Sequence, residues 1–259
     1  MQCIALANHK GGVGKTATTH ALGAILAEGG RRVLMLDLDP QASLTQACGV
    51  ADAGDAGSLA DVLGGAQPGR LELAAILRPL ADGLTLAPAD ISMAATELAL
   101  TSRLGREAVL RKALATVAES FDVVLIDCPP SLGLLTVNAL TAADGVIVPA
   151  QPAPADLRAV KLFLESIGEI RQALNPRLEL VGVLLTFFDR RLALHCNALQ
   201  SIAAAGLPLF AARIGRSVRI AEAMATGQAV TAYDPRNPQS AAYRQLGEEI
   251  AAWLERSLT

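Results

Sequence analysis

The sequence predicts a doubly wound α/β protein, a mostly parallel sheet flanked by helices. Three observations carry that expectation. Apolar runs recur as continuous Val/Ile/Leu stretches rather than alternating ones, the pattern of strands covered on both faces. Segments of helical periodicity separate these runs, the rhythm of repeated βαβ units. The first run also passes through a glycine-rich loop straight into a helical segment, which sets a ligand outside the carboxyl end of a strand.

In chain order, the expected strands are residues 3–8, 33–39, 84–88, 123–127, 145–149 and 180–187, with a weaker one at 207–210. Helical patterns cover residues 17–28, 106–120, 131–142, 156–174 and 241–258. Residues 51–69 are rich in Ala, Gly and Asp and read as a surface excursion with a short helix, not an interdomain linker. With 259 residues, 52% of them hydrophobic, the chain has material for a sizeable core and is expected to form one domain over 1–259. The net charge of −3 gives no global basic signature, so binding to nucleic acid would need a local patch. No apolar run reaches the roughly 18 residues of a membrane span, and no basic leader precedes the first strand. The four cysteines are far apart and form no C-x-x-C pair, which fits a reducing compartment better than disulfides or zinc.

The central motif is Lys10-Gly11-Gly12-Val13-Gly14-Lys15-Thr16. Glycines let a backbone wrap closely around an anion with its N–H groups inward, and the following helix adds its positive end. In such a loop Lys15 reaches the β- and γ-phosphates and the Thr16 hydroxyl serves Mg²⁺. A glycine-rich turn with incidental lysines is the alternative. Asp37 and Asp39 follow on the second strand. Alternation sends both to one face, where Asp39 can orient water or hydrated Mg²⁺, with Asp37 in support; a helix cap or solvated strand end is the plainer reading. Val123 to Asp127 is an apolar strand that delivers one carboxylate, suited to Mg²⁺ through water, although many strands end in aspartate.

Position 9, where the general phosphate-loop pattern has glycine, is His9, and the extra Lys10 precedes the glycines. This arrangement resembles the deviant Walker A motif of the ParA/MinD class of P-loop ATPases. The resemblance covers nearly the whole chain. It implies ATP and Mg²⁺ as cofactors, residues 10–17 (Lys10, Gly11, Gly12, Val13, Gly14, Lys15, Thr16 and Ala17) around the nucleotide, and Thr16, Asp39 and Asp127 around the metal. Lys10, Lys15 and Asp39 become the catalytic set, with Lys10 reaching across a dimer to the partner's nucleotide. Asp37-Leu38-Asp39-Pro40-Gln41 is similar to the family's D-x-D-P-Q motif, whose second aspartate is needed for hydrolysis. Residues 129–140 resemble a region that senses nucleotide and shapes the dimer face; Asn138 within it and Asp144 just beyond it would be either interfacial or simply on a helix surface.

Thr186-Phe187-Phe188-Asp189-Arg190-Arg191 resembles the family's T-x-x-D-x-R segment, which puts Arg191 on its arginine. Ile214-Gly215-Arg216-Ser217-Val218-Arg219 is similar to the Soj-type I-P-R-N-V-R stretch. Arg191, Arg216 and Arg219 are therefore the expected DNA contacts, with Arg190 and Arg213 as further candidates; a basic face serving solubility is the alternative. Three departures stand out: Gly215 and Met224 replace usual prolines, Ala17 replaces a common threonine, and Pro152-Ala153-Pro154-Ala155-Asp156 differs from Soj-like chains and also reads as a rigid turn capping a helix at Asp156.

The expected protein is thus an ATPase that forms an ATP-dependent homodimer, binds double-stranded DNA nonspecifically, and answers to a ParB-like activator. Its place would be cytoplasmic and nucleoid-associated. No N-terminal segment precedes the loop strand to carry a helix-turn-helix, so operator binding is not expected. A MinD-like membrane ATPase is the rival, but the C-terminal stretch carries Glu248, Glu249 and Glu255, a poor match for anionic lipid. An iron–sulfur relative would need paired cysteines, and a tyrosine kinase a terminal tyrosine cluster. An orphan relative that positions a protein cargo, or a non-enzymatic nucleotide switch, stays open.

Overall fold

The computed structural model describes residues 1–50, 57–64 and 71–256. Its strands are β1 (Gln2–Leu6), β2 (Val33–Asp37), β3 (Arg78–Ala81), β4 (Leu84–Ala87), β5 (Val123–Asp127), β6 (Gly145–Ala150) and β7 (Glu179–Leu185). They form one sheet in the order β3-β4-β2-β5-β1-β6-β7. All neighbouring pairs are parallel except β3 with β4. The helices are α1 (Lys15–Glu28), α2 (Ser43–Ala47), α3 (Leu59–Leu63), α4 (Met93–Leu100), α5 (Val109–Ala115), α6 (Leu134–Ala142), α7 (Pro154–Ala173), α8 (Ala193–Ala204), α9 (Val218–Ala225), α10 (Val230–Tyr233) and α11 (Pro238–Arg256).

The expected doubly wound sheet is present, and its strands show why. Side chains on a strand alternate between faces. On β1, Cys3 and Ala5 enter one core layer with residues of α3 to α7, while Ile4 and Leu6 enter the opposite layer with α1 and α11. Both faces are covered, so an apolar residue is needed at every position. On α11, Tyr243, Leu246, Ile250, Trp253 and Leu254 recur at helical spacing and are buried in the second layer.

Several expectations change. Residues 207–210 form no strand; Leu209 makes only an isolated bridge with Val183. The edge strand β3 was not expected, because Arg78-Pro79-Leu80-Ala81 carries a proline and only weak apolar patterning. An edge strand tolerates both. The helix expected at 106–120 is a short 3₁₀ turn, Arg106–Ala108, followed by α5. Asn138 is neither interfacial nor on a helix surface. It is buried, its amide donating to the carbonyls of Arg106 (2.8 Å) and Leu134 (2.9 Å) and its oxygen accepting from Leu110 N–H (3.2 Å). Asp144 accepts from the Cys3 N–H at 2.8 Å and ties the start of β6 to β1. Of the excursion at 51–69, α3 is the short helix, with a capping box between Ser58 and Asp61; residues 51–56 and 65–69 lie outside the described residues, as do 257 and 258 of the last expected helix.

Candidate active site

Five adjacent parallel strands, β2, β5, β1, β6 and β7, deliver their carboxyl ends to one rim. Every principal site residue follows from this. The glycine loop leaves β1, Asp37 ends β2 with Asp39 just beyond, Asp127 ends β5, Gln151 follows β6, and Thr186 follows β7.

The loop's curl depends on two left-handed residues, Gly12 (φ 69°) and Gly14 (φ 86°), a conformation that costs any L side chain energy. Gly14 is also the N-cap of α1, and its carbonyl accepts the Thr18 N–H at 3.0 Å. Side chains outside the loop fix its outer surface. The Thr186 hydroxyl donates to the Val13 carbonyl (2.9 Å), and the Gln151 amide donates to the Gly12 carbonyl (3.1 Å). Buried Asn8 accepts the Lys10 N–H (3.0 Å) and donates to the Pro149 carbonyl (2.7 Å). With carbonyls held outward, the N–H groups are free to converge on an anion. Sequence reasoning missed the roles of Asn8, Gln151 and Thr186 here, and their only signal was position at a strand end.

Lys15 is buried, and its ammonium donates to the Asn8 carbonyl (3.3 Å) and the Lys10 carbonyl (3.2 Å). Burial pushes its pKa down, while Asp127 opposes that shift. Thr16 Oγ1 donates to Asp127 Oδ2 at 2.7 Å, and Thr19 Oγ1 lies 3.4 Å from Asp127 Oδ1. Burial, then the charge of Asp37, pushes the Asp127 carboxyl up; the Thr16 hydrogen bond and Lys15 pull the other way. A buried carboxylate beside a hydroxyl, both hard oxygen donors, fits Mg²⁺ that takes its remaining ligands from phosphates and water.

The two aspartates of the D-x-D-P-Q segment separate in role. Asp37 is fully buried and accepts from Thr45 N–H and Thr45 Oγ1, both at 2.8 Å, and from Asp39 N–H at 3.1 Å. It anchors the start of α2 and holds the Asp39 N–H, level with Asp127 on the neighbouring strand, and it does not line the cavity itself. Asp39 is half-buried, lines the cavity, and accepts the Gln41 N–H at 2.9 Å.

The cavity, about 410 Å³, has two halves. Gly11, Gly12, Gly14, Lys15, Thr16 and Ala17 form a polar floor, and Phe187, Ile214, Ile220, Met224 and Tyr243 form an apolar wall suited to a flat ring system. Neither Lys10 nor Val13 is part of this lining. Val13 contributes backbone only, its side chain being buried. Lys10 turns outward to an ion pair with Asp156, in the first turn of α7. Asp156 is therefore no helix cap; Ala153 holds that position.

The three expected DNA arginines do not form one patch of free charges. Arg191 is bound to Asp189 at 2.7 Å. Arg219 is bound to Glu222 at 2.8 Å and lies 3.7 Å from Asp234. Arg216 stacks over the Phe187 ring, 5.3 Å from its centroid. Arg191 and Arg216 line one groove together, and Arg219 is not among its lining residues.

A family model described as an AAA domain matches residues 1–180. The sporulation initiation inhibitor protein Soj of Bacillus subtilis is 37% identical over 251 residues, covering 96% of this chain and 98% of its own. This chain belongs to the ParA/Soj family of P-loop ATPases. The chromosome partitioning protein ParA of Caulobacter vibrioides is 40% identical over 253 residues, covering 96% of this chain and 94% of that one. The chromosome-partitioning ATPase Soj of Thermus thermophilus reaches 44% over 257 residues, at 97% and 96% coverage. Among solved structures, a Mycobacterium smegmatis protein described as cobyrinic acid a,c-diamide synthase, with bound ADP and magnesium, superposes with a TM-score of 0.83 at 40% identity, covering 96% of this chain and 93% of that one. McdA of Cyanothece shares the fold, with a TM-score of 0.85 at 24% identity, covering 96% of this chain and 99% of that one. In this ParA/Soj chain the glycine loop after β1 and Asp127 at the end of β5 meet at one rim of the parallel sheet, joined by the Thr16–Asp127 hydrogen bond.

Proposed function

We propose that the protein is a partition-type ATPase: it hydrolyses ATP with Mg²⁺, dimerises when ATP is bound, binds double-stranded DNA without sequence preference, and is stimulated by a ParB-like partner. The observation that carries the reading is the contrast between the two lysines of the loop. Lys15 is buried beneath the loop, whereas Lys10, 43% exposed, points away from its own cavity. A cation on the rim, turned outward, is suited to a nucleotide in an apposed copy. The pair joins an exposed lysine to a buried carboxylate whose second oxygen has no partner, so the phosphates of an apposed copy must offset the loss of Asp156.

Within one cavity the roles divide by position. The loop N–H groups and Lys15 hold the β- and γ-phosphates, and Thr16 and Asp127 hold the metal. Mg²⁺, when bound, neutralises charge on the phosphates. Asp39 at the mouth holds the attacking water and takes up its proton as the water oxygen bonds to the γ-phosphorus; the bond from that phosphorus to the bridging oxygen breaks, and ADP leaves with the electron pair. Thr186 and Gln151 keep the loop from relaxing during this exchange.

The link from nucleotide to DNA runs through a shared wall. Ile214, Gly215, Ser217 and Ile220 line the nucleotide cavity, and the same stretch carries Arg216 and Arg219. Occupancy of the cavity thus bears directly on where those arginines point, and a dimer would double the phosphate contacts. A membrane cycle is the less favoured reading: no helix among the described residues is long and apolar enough to cross a membrane, and α11 carries Glu248, Glu249 and Glu255. The deciding experiment measures duplex DNA binding and molecular mass with ATP analogue, with ADP and without nucleotide, at several salt concentrations. Binding and dimerisation confined to the ATP state support the proposal; DNA binding indifferent to nucleotide, or none in any state, removes it.

A further inference from the structure

A separate cavity, of about 620 Å³, is walled by α1, the β3–β4 hairpin and the residues that follow α2 and α9. It shares no lining residue with the nucleotide cavity. We propose that it is a regulatory site for a small organic cation, an ammonium and a hydroxyl on an apolar body, with Asp82 taking the charge and the imidazole of His20 the hydroxyl. The site does not depend on the DNA reading above and would remain if that reading failed.

Charge selects the class of ligand. Glu28 and Asp82 line the cavity, and no described lysine or arginine does. Glu28 is already held by Arg244 at 2.8 Å. Asp82, in the turn between β3 and β4, is exposed and, among the described residues, has no ion pair within 4.0 Å. A phosphate or carboxylate entering here meets like charge, and an ammonium meets an opposite charge that nothing else has taken. The rest of the wall suits a carbon body: Ala24 and Ala27 lie on the same face of α1 as His20, and Leu80, Leu84 and Ala232 complete it.

An unsatisfied group is the second, independent argument. The His20 ring lines the cavity, is only 4% exposed, and has a buried Nδ1 without a hydrogen-bond partner. A buried polar atom left unpaired is costly, and a ligand hydroxyl would relieve it. Burial pushes the imidazole down to about 4, so at neutral pH it carries one donor and one acceptor, and a hydroxyl can serve either. The elements of the wall give the ligand a route to the nucleotide. Ser43 of α2 and Met224 of α9 line the nucleotide cavity, whereas Cys48 and Gly227, just past the ends of those helices, line this one. The two exits are in backbone contact: a Cβ on Gly227 would lie 2.9 Å from Gly49 Cα, so no side chain fits between them. A ligand packed on this joint bears on both helices, and any effect on ATP affinity is returned by ATP in equal measure.

The test titrates the full chain with tyramine by ligand-observed NMR, against tyrosol, which replaces the ammonium by a hydroxyl, and phenethylamine, which lacks the phenol. Tyramine is expected to bind about five-fold more tightly than tyrosol, the scale of one exposed ion pair, and about five-fold more tightly than phenethylamine, the scale of one hydrogen bond. Asp82→Asn should erase the first difference only, and His20→Phe, which keeps a ring of similar size, the second only. Ala24→Leu, which fills the cavity, should abolish binding of all three. Circular dichroism matching the parent shows that each variant is folded, and Asp82→Asn, in an exposed turn, keeps the test open if His20→Phe is not. Saturating ATP analogue should change tyramine affinity about three-fold or more. Tyrosol binding as tightly as tyramine, variants that bind like the parent, or no binding of any probe would each overturn the inference. Tyramine affinity identical with and without the analogue would overturn the regulatory role.

Discussion

The floor of the nucleotide cavity and the arginine groove are built from the same strand ends and differ in how their charges are held. On and directly beneath the floor, Lys15, Asp37 and Asp127 are buried, and each has hydrogen-bond partners supplied by the fold. In the groove and along α9, the arginines are exposed or half-exposed; Arg191 pairs with an acid two residues away, and Arg219 with one three residues away and, at 3.7 Å, with Asp234. The difference separates a site that is assembled on folding from one whose charges can be redirected by a ligand. Buried pairs are expensive to break and keep their geometry, whereas exposed pairs contribute little and exchange readily.

The largest effects should come from the floor. Lys15→Ala removes the only ammonium inside the loop and is expected to weaken ATP binding at least about 100-fold, read by titration calorimetry. Near-normal affinity would mean the loop binds through its backbone alone. Asp39→Ala, on the half-buried rim, should leave ATP affinity within a few-fold and reduce hydrolysis about 100-fold in single-turnover assays. A loss of affinity without a rate effect would make Asp39 a binding residue. Lys10→Ala sharpens the contrast between the two lysines: binding of ATP to the isolated chain should persist, while the ATP-dependent dimer weakens about ten-fold by sedimentation. Equal losses of binding and dimerisation would show that Lys10 serves its own cavity.

The arginines should follow with smaller, graded losses. Arg216 has a ring face for a neighbour and no carboxylate, whereas Arg219 is held by Glu222 and Asp234. Arg216→Ala is therefore expected to weaken duplex binding about ten-fold and Arg219→Ala about three-fold, each lowering the salt slope by about 0.9 if it meets a phosphate. The reverse order would show that ligand binding opens the Arg219 pairs and that α9, not the groove, carries the backbone contact.

The same division explains what could be read from the sequence. The loop was legible because its chemistry is local. Gly12, Gly14, Lys15 and Thr16 are fixed relative to one another by backbone geometry, and a strand and helix on either side confirm the setting. Asp127 was legible because an apolar run ends on it. What escaped was non-local. Asn138 looks like a polar helix position until the carbonyl of Arg106 and the N–H of Leu110 arrive from other elements. Thr186 and Gln151 lie more than a hundred residues from the loop they hold. Asp37 and Asp39 have the same spacing on a strand, but the strand ends at Asp37, and beyond it the alternation no longer applies. Asp156 turned out to be the partner of Lys10, an ion pair between residues 146 positions apart that no local pattern signals. Among the arginines, sequence supplied the charges but not the acids that occupy them.

The last expected effect concerns stability, and it separates the two regions by pH. Burial and the charge of Asp37 raise the Asp127 pKa from 3.8 to about 8, so in the nucleotide-free protein the folded state keeps a proton that the unfolded chain gives up at lower pH. The folded state then binds more protons across that interval, and stability must fall as pH rises from about 4 toward 8. Asp127→Asn abolishes this contribution while keeping a polar group opposite Thr16. It should raise the nucleotide-free unfolding free energy at the upper end of that range by about 1 kcal/mol and flatten its pH dependence, as relief of a functional site commonly does. With Mg²⁺ and ATP the order should invert, because only the charged carboxylate serves the metal. Thermal unfolding at several pH values, with and without Mg²⁺ and ATP, checks both halves. A variant less stable than the parent without nucleotide at pH 8 would show that Asp127 is ionised and satisfied by Lys15 in the empty site, making the floor a neutralised ion pair instead of a strained one. No comparable inversion is expected for Arg191→Ala, whose pair with Asp189 lies in solvent and contributes little to stability at any pH where both are charged.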